Sequence, residues 1–289
     1  MSSRIALGTA QFGAAYGIAN TSGRVSPGNA REILDVARAA GVDTLDTAAL
    51  YGASEATLGE IGVADFLVVT KLPGLPDDCG NVGDWVRAAV MASLRRLNVV
   101  AVAGLLLHRP ADLLGANGEA LFVALLALKS EGLVAKIGYS VYSPDEFEAL
   151  VKSFRPDLVQ APYNVFDRRL ETSGWLSRLK DIGAEVHTRS AFLQGLLLFP
   201  RGRWPEKFRP WRGLLENWHD WCEMRGLTPM QAALAHAVGL GVDRVVVGVD
   251  STPQLHEIIQ ASRGSGVDVP DDIQSSDDAL INPSRWNAL

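Results

Sequence analysis

Short apolar segments alternate with longer amphipathic segments along the whole chain, and this alternation most constrains the fold. We count eight candidate strands, which are brief, often β-branched and closed by glycine, proline or a polar residue. No linker or low-complexity stretch interrupts the series. Eight βα units predict an α/β protein with a single closed (β/α)8 TIM barrel over residues 1–289. The candidate strands are Ile5–Gly8, Thr44–Asp46, Phe66–Lys71, Gly104–His108, Lys136–Tyr139, Leu158–Ala161, Glu185–Arg189 and Arg244–Val247.

Helix signals lie between these strands. Thr228-Pro229, for example, places a capping residue before a proline at the first helical position. The alternative fold is an open, doubly wound sheet, which would favour a GxGxxG motif after the first strand. Here that strand leads into GTAQFGAAYG, and its glycines at positions 8, 13 and 17 have a different spacing, which favours the barrel. Further helices are predicted over about 27–40, 86–97, 119–131 and 143–154.

The composition argues against several classes of protein. A net charge of −6 argues against a general binder of nucleic acid or anionic membranes. Two distant cysteines, Cys79 and Cys222, form neither a disulfide framework nor a CxxC pair, which predicts a reducing environment. The N-terminus lacks the long apolar region of a signal peptide, and the apolar runs are too short to span a bilayer. We therefore expect a soluble, cytoplasmic protein.

Polar side chains close several of the predicted strands. Asp46 ends the second strand and Tyr51 lies on its loop, while Lys71 and His108 end the third and fourth strands. In a barrel the carboxyl ends of the strands and the loops after them form the active face, so these side chains can converge on one point. Each alone has an ordinary explanation as a helix cap, a turn residue or a solvated strand end. The set of four is far more specific than any member.

The four residue types suit proton transfer coupled to hydride transfer. A tyrosine with the ordinary pKa of about 10 exchanges protons poorly near neutrality. A neighbouring ammonium favours the phenolate; Lys71 can supply that ammonium, held in place by Asp46. His108 can donate a hydrogen bond to a carbonyl oxygen beside Tyr51. The carbonyl would then accept a hydride from a nicotinamide and a proton from Tyr51, and alcohol oxidation would be the reverse.

At these residues the chain resembles the aldo-keto reductases, over nearly its whole length. The resemblance implies a (β/α)8 barrel, a nicotinamide cofactor, NADP(H) or NAD(H), across the carboxyl-terminal face, and the four residues above as the catalytic tetrad. It also implies a small carbonyl or alcohol substrate and a monomer or weak oligomer. The matching segments are LGTAQFG (7–13), DTAALYG (46–52), TK (70–71), SLRRL (93–97), LLLH (105–108), EGLVAKIGYS (131–140), VQAPYN (159–164) and RS (189–190).

The resemblance further implies cofactor contacts at the ends of strands five to seven. The family commonly holds the nicotinamide carboxamide with Ser-Asn and Gln; Ser140 and Gln160 match, whereas Val141 replaces the asparagine. Where the family commonly stacks an aromatic residue on the nicotinamide, this chain has Arg189, followed by Ser190. A guanidinium plane can also stack on the ring. Its charge would then affect the electronic properties of the oxidised cofactor differently from those of the reduced cofactor. The alternative is that Arg189 pairs with a loop carboxylate.

The adenosine end departs most from the family pattern. After strand eight the family has a glycine and a polar segment, often with Lys or Arg near a 2′-phosphate, and here the segment is GVDSTPQLHEI, 248–258. Asp250 would repel a dianionic phosphate but can accept bonds from a free ribose hydroxyl, which favours NAD(H). The alternative is that Asp250 caps the following helix. Gly248, Ser251 and Gln254 are further expected cofactor contacts.

Two segments outside the tetrad are candidates for a role in binding. The basic, aromatic segment 199–212 follows strand seven and either covers a pyrophosphate, holds an acidic substrate or is a solvated loop. In the tail, from about 264 to 289, Trp286 either lines the substrate pocket or docks the tail. His219 and Cys222 have no second pair of ligands, so no metal site is predicted.

Two other functions fit parts of the pattern. A barrel aldolase or dehydratase would use Lys71 as a Schiff-base amine, but it would make no use of Tyr51, Ser140 or Gln160. A non-catalytic cofactor-binding subunit would bind nucleotide without turnover, and the complete tetrad speaks against it. We therefore predict an NAD(P)(H)-dependent oxidoreductase with Tyr51 as general acid and base. Sugars, sugar derivatives and aromatic aldehydes are all open as substrates.

Overall fold

Eight parallel strands close into a barrel in the computed structural model, which describes residues 3–264 and 266–288. Each strand pairs with the next in chain order, and the first closes the ring by pairing with the last. The predicted (β/α)8 barrel is thereby confirmed. The strands are β1 (Ile5–Gly8), β2 (Thr44–Asp46), β3 (Leu67–Leu72), β4 (Val102–Leu107), β5 (Val134–Ser140), β6 (Leu158–Pro162), β7 (Glu185–Arg189) and β8 (Arg244–Gly248).

Helices follow the strands and cover the outside of the barrel. Short 3₁₀ segments occupy Pro110–Leu114, Leu193–Leu198, Glu206–Trp211, Asp271–Ile273 and Pro283–Ala288. The α-helices are α1 (Ala10–Gly13), α2 (Pro27–Ala39), α3 (Ser54–Ile61), α4 (Val82–Leu97), α5 (Gly118–Ser130), α6 (Glu146–Ser153), α7 (Arg169–Thr172), α8 (Trp175–Asp181), α9 (Arg212–Arg225), α10 (Pro229–Gly239), α11 (Thr252–Ala261) and α12 (Asp278–Ile281). Among the described residues, no helix is both long enough and apolar enough to cross a membrane.

Local capping explains where two of the longer helices, α4 and α10, begin. Thr228 caps α10 in a capping box. Its hydroxyl accepts from the backbone N–H of Gln231, and the Gln231 side-chain oxygen accepts from the backbone N–H of Thr228. The side chain of Asn81 accepts from the backbone of Asp84, so α4 begins four residues before the predicted Val86. The predicted start at Val86 missed the first turn of α4, although Val82 in that turn is also buried.

Two large apolar clusters and a small third one stabilise the described part of the chain. The larger lies between the barrel strands and the surrounding helices, as expected for this architecture. The second lies beyond the carboxyl ends of β6 and β7, where Trp218, Phe208 and Trp286 are almost completely buried. Trp286 donates its indole N–H to the carbonyl of Leu280 over 3.0 Å and meets Phe208 edge to face. The C-terminal segment is therefore anchored against the barrel by its tryptophan.

Candidate active site

A concave pocket opens at the carboxyl ends of the strands. Its volume is about 340 Å³, a size typical of sites for small molecules and cofactors. All four residues of the expected tetrad line it, and so does every expected cofactor contact except Ser251. The expected residues that line the pocket are Asp46, Tyr51, Lys71, His108, Ser140, Gln160, Arg189, Ser190, Gly248, Asp250 and Gln254.

Asp46 and Lys71 form a buried ion pair at the floor of this pocket. The Lys71 ammonium donates to both carboxylate oxygens of Asp46, over 2.7 and 2.8 Å, and to the carbonyl of Thr47 over 3.0 Å. The amide of Gln160 donates to the same carboxylate over 2.7 Å. Every N–H of the ammonium thus has an acceptor. A charged group can be buried without a large loss of folding free energy only when its hydrogen bonds are satisfied in this way.

The ammonium of Lys71 remains charged in this environment. Burial by itself lowers the pKa of an amine, but the Asp46 carboxylate and the Tyr51 phenol outweigh burial and hold the pKa of Lys71 above its ordinary value. The Lys71 Nζ atom lies 5.0 Å from the centre of the Tyr51 ring. A fixed positive charge therefore lies beside the phenol.

His108 is the first residue after β4 and faces Tyr51 across the pocket. The two rings meet edge to face, with their centroids 6.0 Å apart. Burial, and then the charges of Lys71 and Arg189, lower the pKa of His108 to about 4. Its imidazole is therefore neutral near pH 7 and can donate one hydrogen bond. Its buried Nδ1 atom has no partner among the described residues.

The turn that carries Tyr51 is locked against the loop after β1. A side chain on Gly13 would overlap the carbonyl of Tyr51, and one on Gly52 would come within 2.6 Å of the Gly13 carbonyl, so both positions require glycine. The hydroxyl of Ser54 donates to Thr9, whose own hydroxyl donates to the carbonyl of Asp46 over 2.9 Å. Close backbone packing and these hydroxyl hydrogen bonds thus position the turn that carries Tyr51 relative to Asp46.

The polar groups of β5 and β6 include an acceptor without a donor. Gln160 is completely buried, and its Oε1 atom has no hydrogen-bond partner in the described chain, while its amide nitrogen is committed to Asp46. Ser140 lies opposite Gln160 in the strand register and is also buried. An unsatisfied buried acceptor that faces a pocket is well placed to receive a ligand N–H.

Arg189 has no carboxylate partner within residues 3–264 and 266–288, which does not support the alternative that it pairs with a loop carboxylate. Its guanidinium donates to the carbonyl of Val141 over 3.0 Å and to the hydroxyl of Ser190 over 3.3 Å. It also lies 4.7 Å from the centre of the Tyr142 ring. Val141, at the position where an asparagine was expected, thus contributes through its backbone by holding Arg189.

Asp250 does not cap α11, contrary to the alternative considered for it. Ser251 is the cap, and its hydroxyl accepts from the backbone of Gln254. The carboxylate of Asp250 accepts from the amide of Asn20 over 3.0 Å. The backbone N–H of Asp250 donates to the Gln254 side chain over 2.7 Å. Asp250 lines the pocket, whereas Ser251 caps the helix and does not line it.

The loop after β1 supplies pocket residues that the sequence interpretation missed. Tyr16, Asn20 and the neighbouring Gln194 line the pocket, and the amide of Gln194 donates to the Tyr16 hydroxyl over 3.3 Å. Tyr16 and Tyr142 are 44% and 40% exposed, which leaves two aromatic faces at the rim. In the sequence, the polar and aromatic residues of GTAQFGAAYG directly follow a strand end, and this position is the signal that indicates them.

The basic segment 199–212 lies outside the pocket. Arg201 pairs with Asp220, and Arg212 pairs with Glu216. Lys207 donates to the carbonyl of Trp286 over 3.0 Å, which helps to dock the tail. None of the segment's residues lines the pocket, so its placement over a pyrophosphate has no support in the described structure. Trp286 likewise docks the tail and does not line the pocket.

The family model of the aldo/keto reductases matches residues 4–268. The chain therefore belongs to the aldo/keto reductase family. The oxidoreductase sirO of Leptosphaeria maculans is 32% identical over 289 residues, covering 88% of this chain and 86% of the relative. The family and this relative identify the chain as an oxidoreductase, and members of the family generally use NAD(P)H.

Other relatives match in part or in fold. A 6-dehydroglucose reductase of Novosphingobium aromaticivorans is 34% identical over 142 residues, covering 43% of this chain and 45% of the relative. An aldo-keto reductase of Bacillus halodurans in its holo form has a TM-score of 0.73 at 22% identity, covering 92% and 89% of the two chains. A glycerol dehydrogenase of Gluconobacter oxydans has a TM-score of 0.71 at 23% identity, covering 97% and 92%. At these identities the two structures show a shared fold.

Proposed function

We propose that the protein interconverts a small carbonyl compound and its alcohol, with Tyr51 as the group that donates and accepts the proton. The observation that carries this proposal is the arrangement of a charged, buried Lys71 beside the Tyr51 phenol, opposite a neutral His108. A fixed ammonium stabilises the phenolate that forms when the proton leaves. The bound nicotinamide would supply or accept the hydride.

Each member of the tetrad has a separate task in this proposal. Asp46 holds the Lys71 ammonium in position through two short hydrogen bonds. Lys71 stabilises the anionic form of Tyr51 by charge. His108, neutral near pH 7, donates a hydrogen bond to the carbonyl oxygen and so orients it for protonation by Tyr51. Because His108 is neutral, it polarises the carbonyl without competing as the acid.

The pocket also fits a nicotinamide cofactor. The unsatisfied Gln160 Oε1 atom is suited to accept an N–H from a carboxamide, and the Ser140 hydroxyl lies beside it. Arg189 and Ser190 would flank the ring from the end of β7, while Gly248 and Gln254 would lie along the remainder of the cofactor. These assignments name the groups of this chain that would make the cofactor contacts implied by the family.

Asp250 favours NAD(H) over NADP(H) in this proposal. Its carboxylate lines the pocket on the β8 side, and it has no lysine or arginine as an ion-pair partner among the described residues. A 2′-phosphate near this carboxylate would be repelled, whereas a ribose hydroxyl would gain an acceptor. Ser251 caps the helix, and Asp250 contributes to the helix start through its backbone N–H, which donates to the Gln254 side chain over 2.7 Å.

The Schiff-base alternative has little support in this geometry. Lys71 is 1% exposed, its three N–H groups all have acceptors, and its pKa is raised above the ordinary value by Asp46 and Tyr51 despite burial. A Schiff-base lysine must instead present a neutral amine to its substrate.

The test combines cofactor binding with turnover. Fluorescence titrations with NADH and NADPH, made separately, should both show binding, and NADH should bind more tightly. Carbonyl substrates should include oxidised sugars, because a 6-dehydroglucose reductase is 34% identical over 142 residues. Turnover should be followed in both directions at 340 nm, with aromatic aldehydes as the comparison class. Absence of binding by either cofactor would refute the proposal, and binding without turnover on every class would favour a non-catalytic subunit.

A further inference from the structure

One wall of the pocket carries a cation that no acid neutralises. Among the described residues, Arg189 has no ion-pair partner, while Asp46 and Lys71, which also line the pocket, neutralise each other. Asp250 lines the pocket on the β8 side, where its carboxylate accepts from Asn20. The pocket therefore has an uncompensated positive charge on the β7 side.

The position of this charge is fixed by contacts that leave it uncompensated. A backbone carbonyl, that of Val141, and the hydroxyl of Ser190 accept two of its five N–H donors. The Tyr142 ring lies 4.7 Å from the guanidinium carbon and supports its planar face. These partners are neutral, so they orient the guanidinium and do not cancel its charge.

The charge of Arg189 acts on the reaction centre. Burial and Lys71 contribute most to the low pKa of His108, and Arg189 is the next group that lowers it. Electrostatic interactions of this kind extend over several ångströms in a partly enclosed pocket. A group bound next to His108 would therefore also experience the field of Arg189.

The nicotinamide ring has a defined place relative to Arg189 if it binds as proposed. A carboxamide that donates to Gln160 Oε1 lies at the end of β6, and Arg189 lies at the end of the adjoining strand, in register with Pro162. The ring must also face Tyr51 and His108 to exchange a hydride with the carbonyl. It would then lie between the β7 wall and the reaction centre.

We propose that Arg189 makes the site distinguish the two oxidation states of the nicotinamide by charge, so that it binds the neutral reduced ring more tightly than the cationic oxidised ring. The inference rests on the proposed function and names a property of that site. Two positive charges a few ångströms apart repel each other, and the pocket limits screening by solvent. When bound, the oxidised ring is consequently a stronger hydride acceptor, which favours alcohol oxidation on the enzyme relative to free solution.

The test measures binding and needs no substrate. Dissociation constants for NAD⁺, NADH, NADP⁺ and NADPH are measured by fluorescence in the wild type, in Arg189→Met and in Arg189→Lys. Methionine keeps much of the length without the charge, and lysine keeps the charge without the planar fork. We expect the ratio of oxidised to reduced Kd to fall about tenfold in Arg189→Met and to stay near the wild-type value in Arg189→Lys.

Arg178→Met is the matched control. Arg178 also lies over an aromatic ring, that of Trp175, at 3.6 Å, but it lies on α8 and does not line the pocket. Its removal should leave the ratio unchanged. A ratio that stays constant in Arg189→Met, or that falls equally in Arg189→Lys, would overturn the charge effect and leave Arg189 as a stacking surface. Failure of the wild type to bind any of the four nucleotides would instead refute the proposed function.

Discussion

The Nζ atom of Lys71 lies 2.7 and 2.8 Å from the two carboxylate oxygens of Asp46, and both side chains are almost completely buried. The pair is neutral as a unit, although each member alone would be a buried charge. The ion pair places an ammonium beside Tyr51 with a small cost in the free energy of folding. Removal of either partner alone would leave the other as a buried, unpaired charge.

Asp46→Asn should destabilise the protein by about 3–5 kcal/mol, because it leaves the Lys71 ammonium buried without its counter-ion. Urea unfolding at pH 7 would measure the change. The double variant Asp46→Asn with Lys71→Met removes both charges and should recover much of the loss. Equal stability of Asp46→Asn and the wild type would contradict the dependence of one partner on the other.

Tyr51→Phe should lower kcat by about 10²- to 10⁴-fold, because the ring is retained and only the proton-exchanging hydroxyl is lost. The Kd for NADH should change little. Tyr139→Phe is the control, since Tyr139 is buried outside the pocket and its hydroxyl contacts the Phe154 carbonyl. A Tyr51→Phe enzyme with wild-type turnover would remove Tyr51 from the mechanism.

His108 should make stability depend on pH. Burial, with the charges of Lys71 and Arg189, lowers its native pKa from 6.5 to about 4, so the unfolded chain binds more protons between these values. This contribution leaves stability unaffected above about pH 6.5 and lowers it progressively as the pH falls towards 4. Between pH 4 and 6.5, His108→Gln should reduce the slope of the free energy of unfolding against pH by up to about 1.4 kcal/mol per pH unit.

Urea denaturation of the wild type and of His108→Gln at several pH values would show this difference. His236, whose pKa is also lowered to about 4 by burial and by Arg168, is present in both proteins and cancels in the comparison. Parallel stability curves for the two proteins would contradict the assignment of a low pKa to His108.

Asp250→Asn should shift cofactor preference towards NADP(H). The amide keeps the shape of the side chain and removes its charge, so the Kd for NADPH should fall about tenfold relative to that for NADH. Helix α11 should be unaffected because Ser251 caps it. Asp35→Asn, on the exposed face of α2, controls for a general change in net charge. An unchanged preference would mean that the 2′-phosphate does not approach this carboxylate.

Trp286→Ala should destabilise the protein by about 3–5 kcal/mol through loss of a large buried side chain. Its indole packs on Phe208, bonds the Leu280 carbonyl and does not line the pocket. The Kd for NADH at 25 °C should therefore stay close to that of the wild type. A selective loss of cofactor binding without a change in melting temperature would indicate that the tail forms part of the site.

The fold and the tetrad were accessible from the sequence because their signals are local. Strands β2, β3 and β4 are short apolar runs, and barrel closure brings residues that follow such runs to one face. The convergence of Asp46, Tyr51, Lys71 and His108 around one pocket agrees with that expectation, while their catalytic roles stay predictions.

The remaining features depend on contacts between distant segments. Ser251 and Asp250 are both good capping residues, and the Asp250 carboxylate accepts from Asn20, which lies 230 positions away. The neutral state of His108 depends on burial and on neighbouring charges. The pairing of Arg212 with Glu216, by contrast, is a local contact with the ordinary helical spacing of four residues.

The interlocking of Gly13 with the Tyr51 turn has a consequence for engineering and for divergence within the family. The two loops that meet there share backbone contacts with no room for a side chain, so they must be inherited or transplanted together. Exchange of either loop alone would displace the phenol. The rim beyond them, which includes Tyr16 and Tyr142, carries no such restriction. New substrate preferences can therefore arise at the rim, while the chemistry below is preserved.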